Sequence, residues 1–377
     1  MNPIQKTLLT TAFEALGPER VTRGLKATGH SWRDCFLAVA TYGEPDALAR
    51  ELEKRWRKEH FVSTLLGVRV QAVNEVVKVA CVQAEPVAFD RAATIDKLEG
   101  LAGEAAGAGA RLALFPETFV PVYPSNRWVR YLAGWDGPEA GAAREVFARL
   151  MQQSVTVPGP DSDRLADIAR TNELWLAVGV NELDGGTIYN SLLVYSPEGE
   201  LALHHRKLMP TNHERLVWGL GDGRGLETIA TDVGNVGGLI CWENLMPLAR
   251  FALYQGGVEV YLAPTADDSD DWHDSMKHIA RESRSFVLSC CVFQRASGYP
   301  ADVPLAEGDD LVGSGGSAIL APDGSYLAGP LWNEEGILYA DLDPQRLYEA
   351  RQRFDPAGHY NRPDVLRFKL ATSRSAG

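Results

Sequence analysis

The chain has 377 residues, of which 45% are hydrophobic, and it carries a formal net charge of -13 at pH 7. This hydrophobic share is enough to fill the core of one large domain or two smaller ones. The acidic balance argues against a general nucleic-acid or membrane-surface binder, because a polyanionic partner would be repelled. The partner that we expect is a small molecule, with no nucleic acid and no membrane.

The cysteines and the amino-terminal residues predict a soluble protein of the reducing cytoplasm. Five cysteines, an odd number without a C-x-x-C pair, do not suggest a disulfide framework. Residues 1–16 lack an apolar run long enough for a signal sequence. No segment approaches the roughly 20 apolar residues that are needed to span a bilayer.

Residues 1–75 predict a helical extension of unknown role. Within it, residues 46–61 place Leu48, Leu52 and Trp56 at helical spacing, with charged residues elsewhere. Lysines and arginines in this segment alternate with glutamates, which favours a solvated helix face over an anion-binding surface.

Residues 76–370 predict one domain of layered α/β type, followed by a short tail at residues 371–377. Apolar strand-like runs alternate here with amphipathic helices. The predicted strands are residues 77–83, 112–115, 175–180, 188–195, 236–240, 258–262, 287–293 and 317–321, and the predicted helices are residues 91–108, 245–254 and 272–285. Turn sequences at residues 184–186 (DGG) and 197–199 (PEG) indicate hairpins, so part of the sheet should be antiparallel or mixed.

Three of the apolar runs end in a chemically reactive residue. The first leads to Glu117, the second, through two histidines, to Lys207, and the third, through Gly-Gly-Leu-Ile, to Cys241. Strand ends in α/β folds gather functional side chains, because the sheet fixes the backbone and the loops leave side chains accessible. We therefore expect an acid, an amine and a thiol to meet in one site.

These three residue types suit nucleophilic catalysis. Cys241 carries a thiol at a strand end, ahead of helix-forming sequence and near a lysine. We expect this thiol to ionise and to act as the nucleophile. Lys207 would stabilise developing negative charge, and Glu117 would transfer protons. Each signal alone has a plainer interpretation, since a strand-end cysteine is commonly a small buried hydrophobe and a single Glu or Lys is commonly solvated.

The three segments and several others, in the same order, resemble the nitrilase branch of the carbon–nitrogen hydrolase superfamily. The resemblance covers about residues 76–370. The matching segments are FPETFVPVYP, GVNELDGGTIYNSLLVYSPEGELALHHRKLMPTNHERLVWG, GGLICWENLMPLARFALY, YLAPTADDSDDWHDSMKHIARESRSFVLSCCVF, GSGGSAILAPDG and GHYNRPD. It implies a two-sheet α-β-β-α sandwich with a catalytic triad of Glu117, Lys207 and Cys241. Glu214 matches a second glutamate of the superfamily site, which is expected to hold Lys207 and to help position the substrate.

The resemblance implies a hydrolase that converts an organic nitrile to the carboxylic acid and ammonia. Cys241 would form a thioimidate, a water activated by Glu117 would add, ammonia would leave, and a second water would release the acid from a thioester. Expulsion of sulfur instead of ammonia would give an amide. No metal and no organic cofactor are implied.

Two alternatives remain open. The first is an amidase or N-carbamoyl hydrolase that uses the same three residues, although the segments after Lys207 and around Cys241 look like nitrilases proper. The second is a binding or scaffold protein on a hydrolase fold with vestigial activity.

Three aromatic residues are candidates for the substrate pocket: Tyr123, Trp128 and Trp242. Trp128 is spaced with Tyr131 and Trp135 as on one helix face, for which packing in the core is the other interpretation. Trp242 directly follows the predicted nucleophile, and a backbone N–H near it is expected to help hold the tetrahedral species.

The histidines near Lys207 do not predict a metal site. His204 and His205 are neighbours on a strand and should point to opposite faces, and no carboxylate or cysteine completes a ligand spacing with His213. The late segment at residues 358–364 (GHYNRPD) predicts an exposed turn or an interface. We expect a homodimer or a higher homo-oligomer in which the sheets of two protomers stack their helices.

Overall fold

The computed structural model describes residues 75–134 and 137–371. The predicted helical extension, Trp135 and the tail beyond residue 371 lie outside the described residues, so the interpretations placed on them stay predictions.

The described residues form thirteen strands and seven α-helices. The strands are β1 (Val77–Gln83), β2 (Leu112–Leu114), β3 (Trp175–Asp184), β4 (Thr187–Tyr195), β5 (Leu201–Arg206), β6 (Ile229–Thr231), β7 (Gly234–Gly238), β8 (Val260–Thr265), β9 (Phe286–Cys291), β10 (Phe293–Arg295), β11 (Leu311–Leu320), β12 (Tyr326–Trp332) and β13 (Gly336–Leu342). The helices are α1 (Arg91–Gly107), α2 (Asn126–Val129), α3 (Pro138–Gln153), α4 (Pro160–Thr171), α5 (Pro247–Gln255), α6 (Asp270–Ser283) and α7 (Pro344–Arg353).

The strands build two mixed sheets. The first has the order β13-β1-β2-β3-β4-β5, in which β1, β2 and β3 are parallel and the outer pairs are antiparallel. The second has the order β10-β11-β9-β8-β7-β6, with β12 also paired to β11 and with β7, β8 and β9 parallel. The hairpin turns in the sequence had predicted this mixture.

Each sheet is covered by helices on its outer face. Leu98 of α1 and Leu165 of α4 are fully buried in a hydrophobic cluster with side chains of the first sheet. Met276 of α6 and Leu253 of α5 are buried in a second cluster with the other sheet. Burial of one apolar helix face against a sheet is the packing that amphipathic spacing predicts.

The two sheets lie face to face. Across the interface β1 contacts β9 and β11. The backbone N–H of Ser317 donates to the side-chain oxygen of Gln83 at 2.9 Å, and the Cys290 thiol donates to the carbonyl oxygen of Val82 at 3.4 Å. The predicted α-β-β-α sandwich is confirmed.

No helix among the described residues is long and apolar enough to cross a membrane.

Three predicted elements differ from the structure, and two of them lie beside Cys241. The strand predicted to reach Ile240 ends at Gly238, and the predicted helix 245–254 is preceded by a 3-10 helix at Cys241–Leu245. The α-helix begins at Pro247, a residue without an N–H group, which favours the first helical turn. The predicted strand 287–293 is divided into β9 and β10.

Candidate active site

Glu117, Lys207 and Cys241 meet between the two sheets. Glu117 follows β2 and Lys207 follows β5 of the first sheet, whereas Cys241 follows β7 of the second. Lys207 Nζ donates to Glu117 Oε1 at 2.8 Å and to Glu214 Oε2 at 2.7 Å. One side-chain oxygen or sulfur atom of each of Glu117, Glu214 and Cys241 lies within 4.8 Å of the other two, and all are buried. The strand ends therefore bring together the acid, the amine and the thiol, as the sequence predicted.

The loop that carries Glu117 passes close over β3. The Val120 N–H donates to the carbonyl oxygen of Gly179 at 3.2 Å. A Cβ atom at Gly179 would lie 2.3 Å from the carbonyl oxygen of Pro116 and 2.4 Å from the nitrogen of Thr118, so the approach requires glycine. Thr118 itself has a φ of 44°, in the left-handed region that is uncommon for such a residue. The surrounding contacts thus hold the loop in a strained conformation beside the carboxylate.

The two carboxylate oxygens of Glu117 have different surroundings. Oε1 accepts from Lys207 Nζ and, at 2.6 Å, from Asn190 Nδ2. Oε2 is buried and has no hydrogen-bond partner. Burial raises the pKa of Glu117 to about 7, the charge of Lys207 opposes this rise, and Glu214 adds to it. Oε2 is therefore free to exchange a proton with a reacting group near neutral pH.

Asn190 is a residue of the site that the sequence interpretation missed. It lies in β4, and its backbone carbonyl accepts from the Lys207 N–H at 2.7 Å while its side chain binds Glu117. The available signal was a polar amide inside an apolar buried strand, TIYNSLLVY. Such a group is costly to bury unless it is hydrogen-bonded, so its presence points to a specific partner.

Cys241 lies in a strained turn that neighbouring side chains hold in place. Its φ is 51°, in the left-handed region. The Asn244 amide donates to the carbonyl oxygens of Leu239 and Cys241, at 2.9 and 2.8 Å. The hydroxyl of Tyr261 in turn donates to the Asn244 side-chain oxygen at 2.7 Å. A strained strand-to-helix turn is a recurrent way to present a nucleophile.

Burial of Cys241 acts against its expected ionisation. Burial raises the pKa of the thiol well above its ordinary value, Glu117 adds to the rise, and Lys207 only partly opposes it. The 3-10 helix that begins at Cys241 has five residues, which is too short to build the dipole of a long helix. Glu117 has an unpartnered carboxylate oxygen in the same buried cluster as this thiol.

Lys207 provides the positive charge of the cluster. Burial lowers the pKa of its amine, but attraction to Glu117, Cys241 and Glu214 outweighs this effect and raises the pKa above its usual range. The ammonium group donates to both carboxylates. One oxygen of each of the two carboxylates is thus already bound by the ammonium group.

Glu214 binds Lys207, as the sequence predicted, and it is itself held by two further donors. Its Oε2 accepts from the Thr211 N–H at 2.6 Å, and its Oε1 accepts from the Tyr123 hydroxyl at 2.7 Å. The Tyr123 ring packs edge-on against Trp218 at 5.9 Å between centroids, and Lys207 Nζ lies 5.5 Å from the centre of the Trp218 ring. A part for Glu214 in substrate positioning stays a prediction.

The three aromatic pocket candidates occupy different environments. Tyr123 contacts the cluster through Glu214. Trp128 is fully buried in a hydrophobic cluster, where its ring packs against Phe89 at 6.1 Å, so the structure places it in the core that was its other interpretation. The side chain of Trp242 is 49% exposed, and its N–H donates to Asp267 at 2.7 Å. Pocket lining stays a prediction for Tyr123 and Trp242.

The neighbouring histidines point to opposite faces of β5, as predicted. His204 Nε2 lies 2.7 Å from Glu182 Oε2, whereas His205 Nε2 lies 2.9 Å from Glu243 Oε2. His213 lies outside β5, and the centre of its ring is 6.2 Å from that of Tyr123.

Comparisons with known proteins agree with this architecture. Residues 78–352 match the carbon–nitrogen hydrolase family. The chain is 44% identical to Nitrilase 1 of Arabidopsis thaliana over 303 residues, which cover 78% of this chain and 87% of the relative. It is 45% identical to an aliphatic nitrilase of Sinorhizobium fredii over 296 residues, which cover 78% and 94% of the two chains. A bifunctional nitrilase/nitrile hydratase of Lupinus angustifolius is 43% identical over 300 residues, covering 77% and 84%.

Solved structures show the same fold at lower identity. The carbon–nitrogen hydrolase superfamily protein XC1258 of Xanthomonas campestris matches with a TM-score of 0.60 at 18% identity, over 79% of this chain and all of that one. Nit3 of Saccharomyces cerevisiae, a member of the nitrilase superfamily, matches with a TM-score of 0.59 at 20% identity, over 76% and 97%. The chain therefore belongs to the carbon–nitrogen hydrolases, a class of enzymes that hydrolyse carbon–nitrogen bonds. Within that family it is a member of the nitrilase branch.

Proposed function

We propose that the protein hydrolyses an organic nitrile to the carboxylic acid and ammonia, with Cys241 as the nucleophile. The observation that carries the proposal is a buried cluster in which a thiol, an ammonium group and a carboxylate with one unpartnered oxygen lie together. Relatives at 41–45% identity that are named nitrilases support the nitrile as substrate.

The first covalent stage uses the neutral thiol. Cys241 Sγ adds to the nitrile carbon, one C–N π bond breaks, and a thioimidate forms. The thiol proton passes through Glu117 Oε2 to the nitrile nitrogen, so no net charge is created. Lys207 stabilises the negative charge that develops on nitrogen during the addition.

The second stage consumes two waters. One water, deprotonated by Glu117, adds to the thioimidate carbon; the C–N bond breaks, and protonated nitrogen leaves as ammonia. A second water then adds to the thioester, the C–S bond breaks, and the acid is released while the proton returns to Cys241. If the first tetrahedral species breaks its C–S bond instead, the product is an amide, and one water is consumed.

An amidase or N-carbamoyl hydrolase is the second candidate, because the same three groups would serve both reactions. An amidase of Nesterenkonia has the same fold with a TM-score of 0.54, at 20% identity, which supports the fold alone. Substrates that differ only at the reacting group separate the two candidates.

The test is ammonia release from paired aliphatic and aromatic nitriles and their amides. We expect the wild type to act on nitriles faster than on amides, and Cys241→Ala to lose turnover. Cys291→Ala is the matched control, because this second buried thiol lies on β9 beside Ser289 and should affect stability more than chemistry. Amide turnover without nitrile turnover would move the protein to the amidases, and silence on both would favour a protein without catalytic activity.

We also propose that the enzyme works in the cytoplasm as a homodimer or higher homo-oligomer. The four cysteines in the described residues are free thiols and buried, which suits a reducing compartment. Light scattering coupled to size-exclusion chromatography tests the assembly, and a monomeric mass would overturn it.

A further inference from the structure

Two Glu–His pairs lie on opposite faces of β5. His204 binds Glu182, whose carboxylate also binds Arg206, and His205 binds Glu243. Successive residues of a strand alternate between its two faces, so only the second pair shares its face with Lys207. Both glutamates are buried, but their other contacts differ.

The carboxylate of Glu243 joins the two chain segments that carry the amine and the thiol. Its Oε1 accepts from the Leu208 N–H at 2.6 Å, and its Oε2 accepts from the Ile240 N–H at 2.8 Å. Leu208 directly follows Lys207, and Ile240 directly precedes Cys241. One buried carboxylate therefore connects the backbone beside Lys207, in the first sheet, to the backbone beside Cys241, in the second.

The contacts of Glu243 exceed what capping of the 3-10 helix requires. The bond to the Ile240 N–H closes that helix locally, but the bonds to Leu208 and His205 reach the other sheet. Burial raises the pKa of Glu243, but His205 and the two N–H donors outweigh it, so the pKa lies below its ordinary value. Bonds between an ionised carboxylate and N–H donors are short and directional.

We propose that Glu243, held by His205, is a positioning residue that sets the placement of Lys207 relative to Cys241. It touches no reacting atom and acts through the two backbone segments that it joins. Glu243 is bonded to the backbone next to each of Lys207 and Cys241, so loss of one of these bonds frees the two segments to shift relative to each other. A displacement of about 1 Å in a catalytic group costs about 100-fold in rate.

The test is Glu243→Gln, with Glu182→Gln as the matched control on the opposite face. Glutamine keeps the volume but offers one acceptor oxygen, so one of the two backbone N–H groups loses its partner. We expect kcat per folded molecule to fall about 100-fold in Glu243→Gln while KM stays within about threefold. Glu182→Gln should lower the thermal midpoint comparably and leave kcat within about threefold. Equal kcat in the two variants would overturn the proposal.

The measurement of kcat rests on the proposed nitrile hydrolysis. A second measurement therefore uses no substrate. The rate at which iodoacetamide alkylates Cys241 is followed by mass spectrometry, with Cys241→Ala giving the background from other thiols. We expect about tenfold slower labelling in Glu243→Gln than in Glu182→Gln, because the thiol loses alignment with its base. Absence of nitrile turnover in the wild type would refute the proposed function alone, whereas equal or faster labelling in Glu243→Gln would refute the positioning role.

Variants of His205 keep the proposal testable if Glu243→Gln does not fold. His205→Gln retains an N–H donor that can reach Glu243, and His205→Leu does not. We expect kcat in the leucine variant to be about tenfold below that of the glutamine variant. Indistinguishable kcat values would show that the pair has no positioning role.

Discussion

Asn190 Nδ2 lies 2.6 Å from Glu117 Oε1, and this bond assigns different tasks to the two oxygens of one carboxylate. Oε1 is occupied by Asn190 and by the ammonium of Lys207, whereas Oε2 has no partner. Because both donors bind the same oxygen, the second oxygen stays available to accept a proton. Asn190 and Lys207 together thus leave Oε2 as the oxygen of Glu117 without a hydrogen bond.

Replacement of Asn190 by alanine should lower kcat and leave KM nearly unchanged. A hydrogen bond to a charged group is worth about 1.5 to 3 kcal/mol, which corresponds to about 10- to 100-fold in rate if it is needed in the transition state. Ser191→Ala is the control, because the neighbouring hydroxyl donates to Glu182 on the other face of β4. Ammonia release at varied substrate concentration measures both constants. A kcat equal to that of Ser191→Ala would show that Glu117 needs no orienting amide.

The rate of the reaction should rise with pH through about 7. The pKa of Glu117 is raised to about 7, chiefly by burial. Below that pH most molecules therefore carry a protonated Glu117, which cannot act as the base. We expect kcat/KM to increase about tenfold per pH unit below the midpoint and to level off above it. The pKa of Cys241 lies well above its ordinary value, so no second rise from thiolate formation should appear by about pH 9. A profile with its midpoint above about pH 8 would instead indicate a thiolate mechanism.

Glu117→Gln should be inactive. Its free energy of unfolding should nevertheless increase relative to that of the wild type as the pH rises. The pKa of Glu117 is higher in the folded chain than in the unfolded chain, so its contribution to stability is full below about pH 4.5 and is lost as the pH rises through about 7. Glutamine does not titrate. The unfolding free energy of the variant should therefore rise relative to that of the wild type as the pH increases, by on the order of 3 kcal/mol in total. Urea unfolding at a series of pH values measures it. Parallel curves for the two proteins would contradict the raised pKa.

The placement of the triad could be predicted because its signal is local. Glu117, Lys207 and Cys241 each follow an apolar strand-like run, and strand ends in α/β folds gather functional side chains. The resemblance added Glu214, and the hairpin turns indicated mixed sheets. These signals lie in short stretches of sequence, whereas the distance from Cys241 to the other two residues also depends on how the second sheet packs against the first.

The roles of Asn190 and Glu243 could not be predicted, because they depend on contacts between distant segments. Glu243 lies 35 residues from Leu208 in sequence, and Asn190 lies 73 residues from Glu117. The effect of burial on the Cys241 thiol could not be predicted for a related reason. A neighbouring lysine is visible in sequence, but the depth of burial that outweighs it is a property of the folded chain.

Gly179→Ala should damage the site and the fold together, because the new methyl group would collide with the backbone on either side of Glu117. Overpacking of this kind costs about 1 to 3 kcal/mol of stability, and the displaced carboxylate should lower kcat by about 100-fold. Gly186→Ala is the control, since a Cβ atom at this turn glycine meets nothing within 4 Å. Thermal unfolding and ammonia release are compared for the two variants. If Gly179→Ala retains the kcat of the control, the close approach of the Glu117 loop to β3 is not what holds the carboxylate in place.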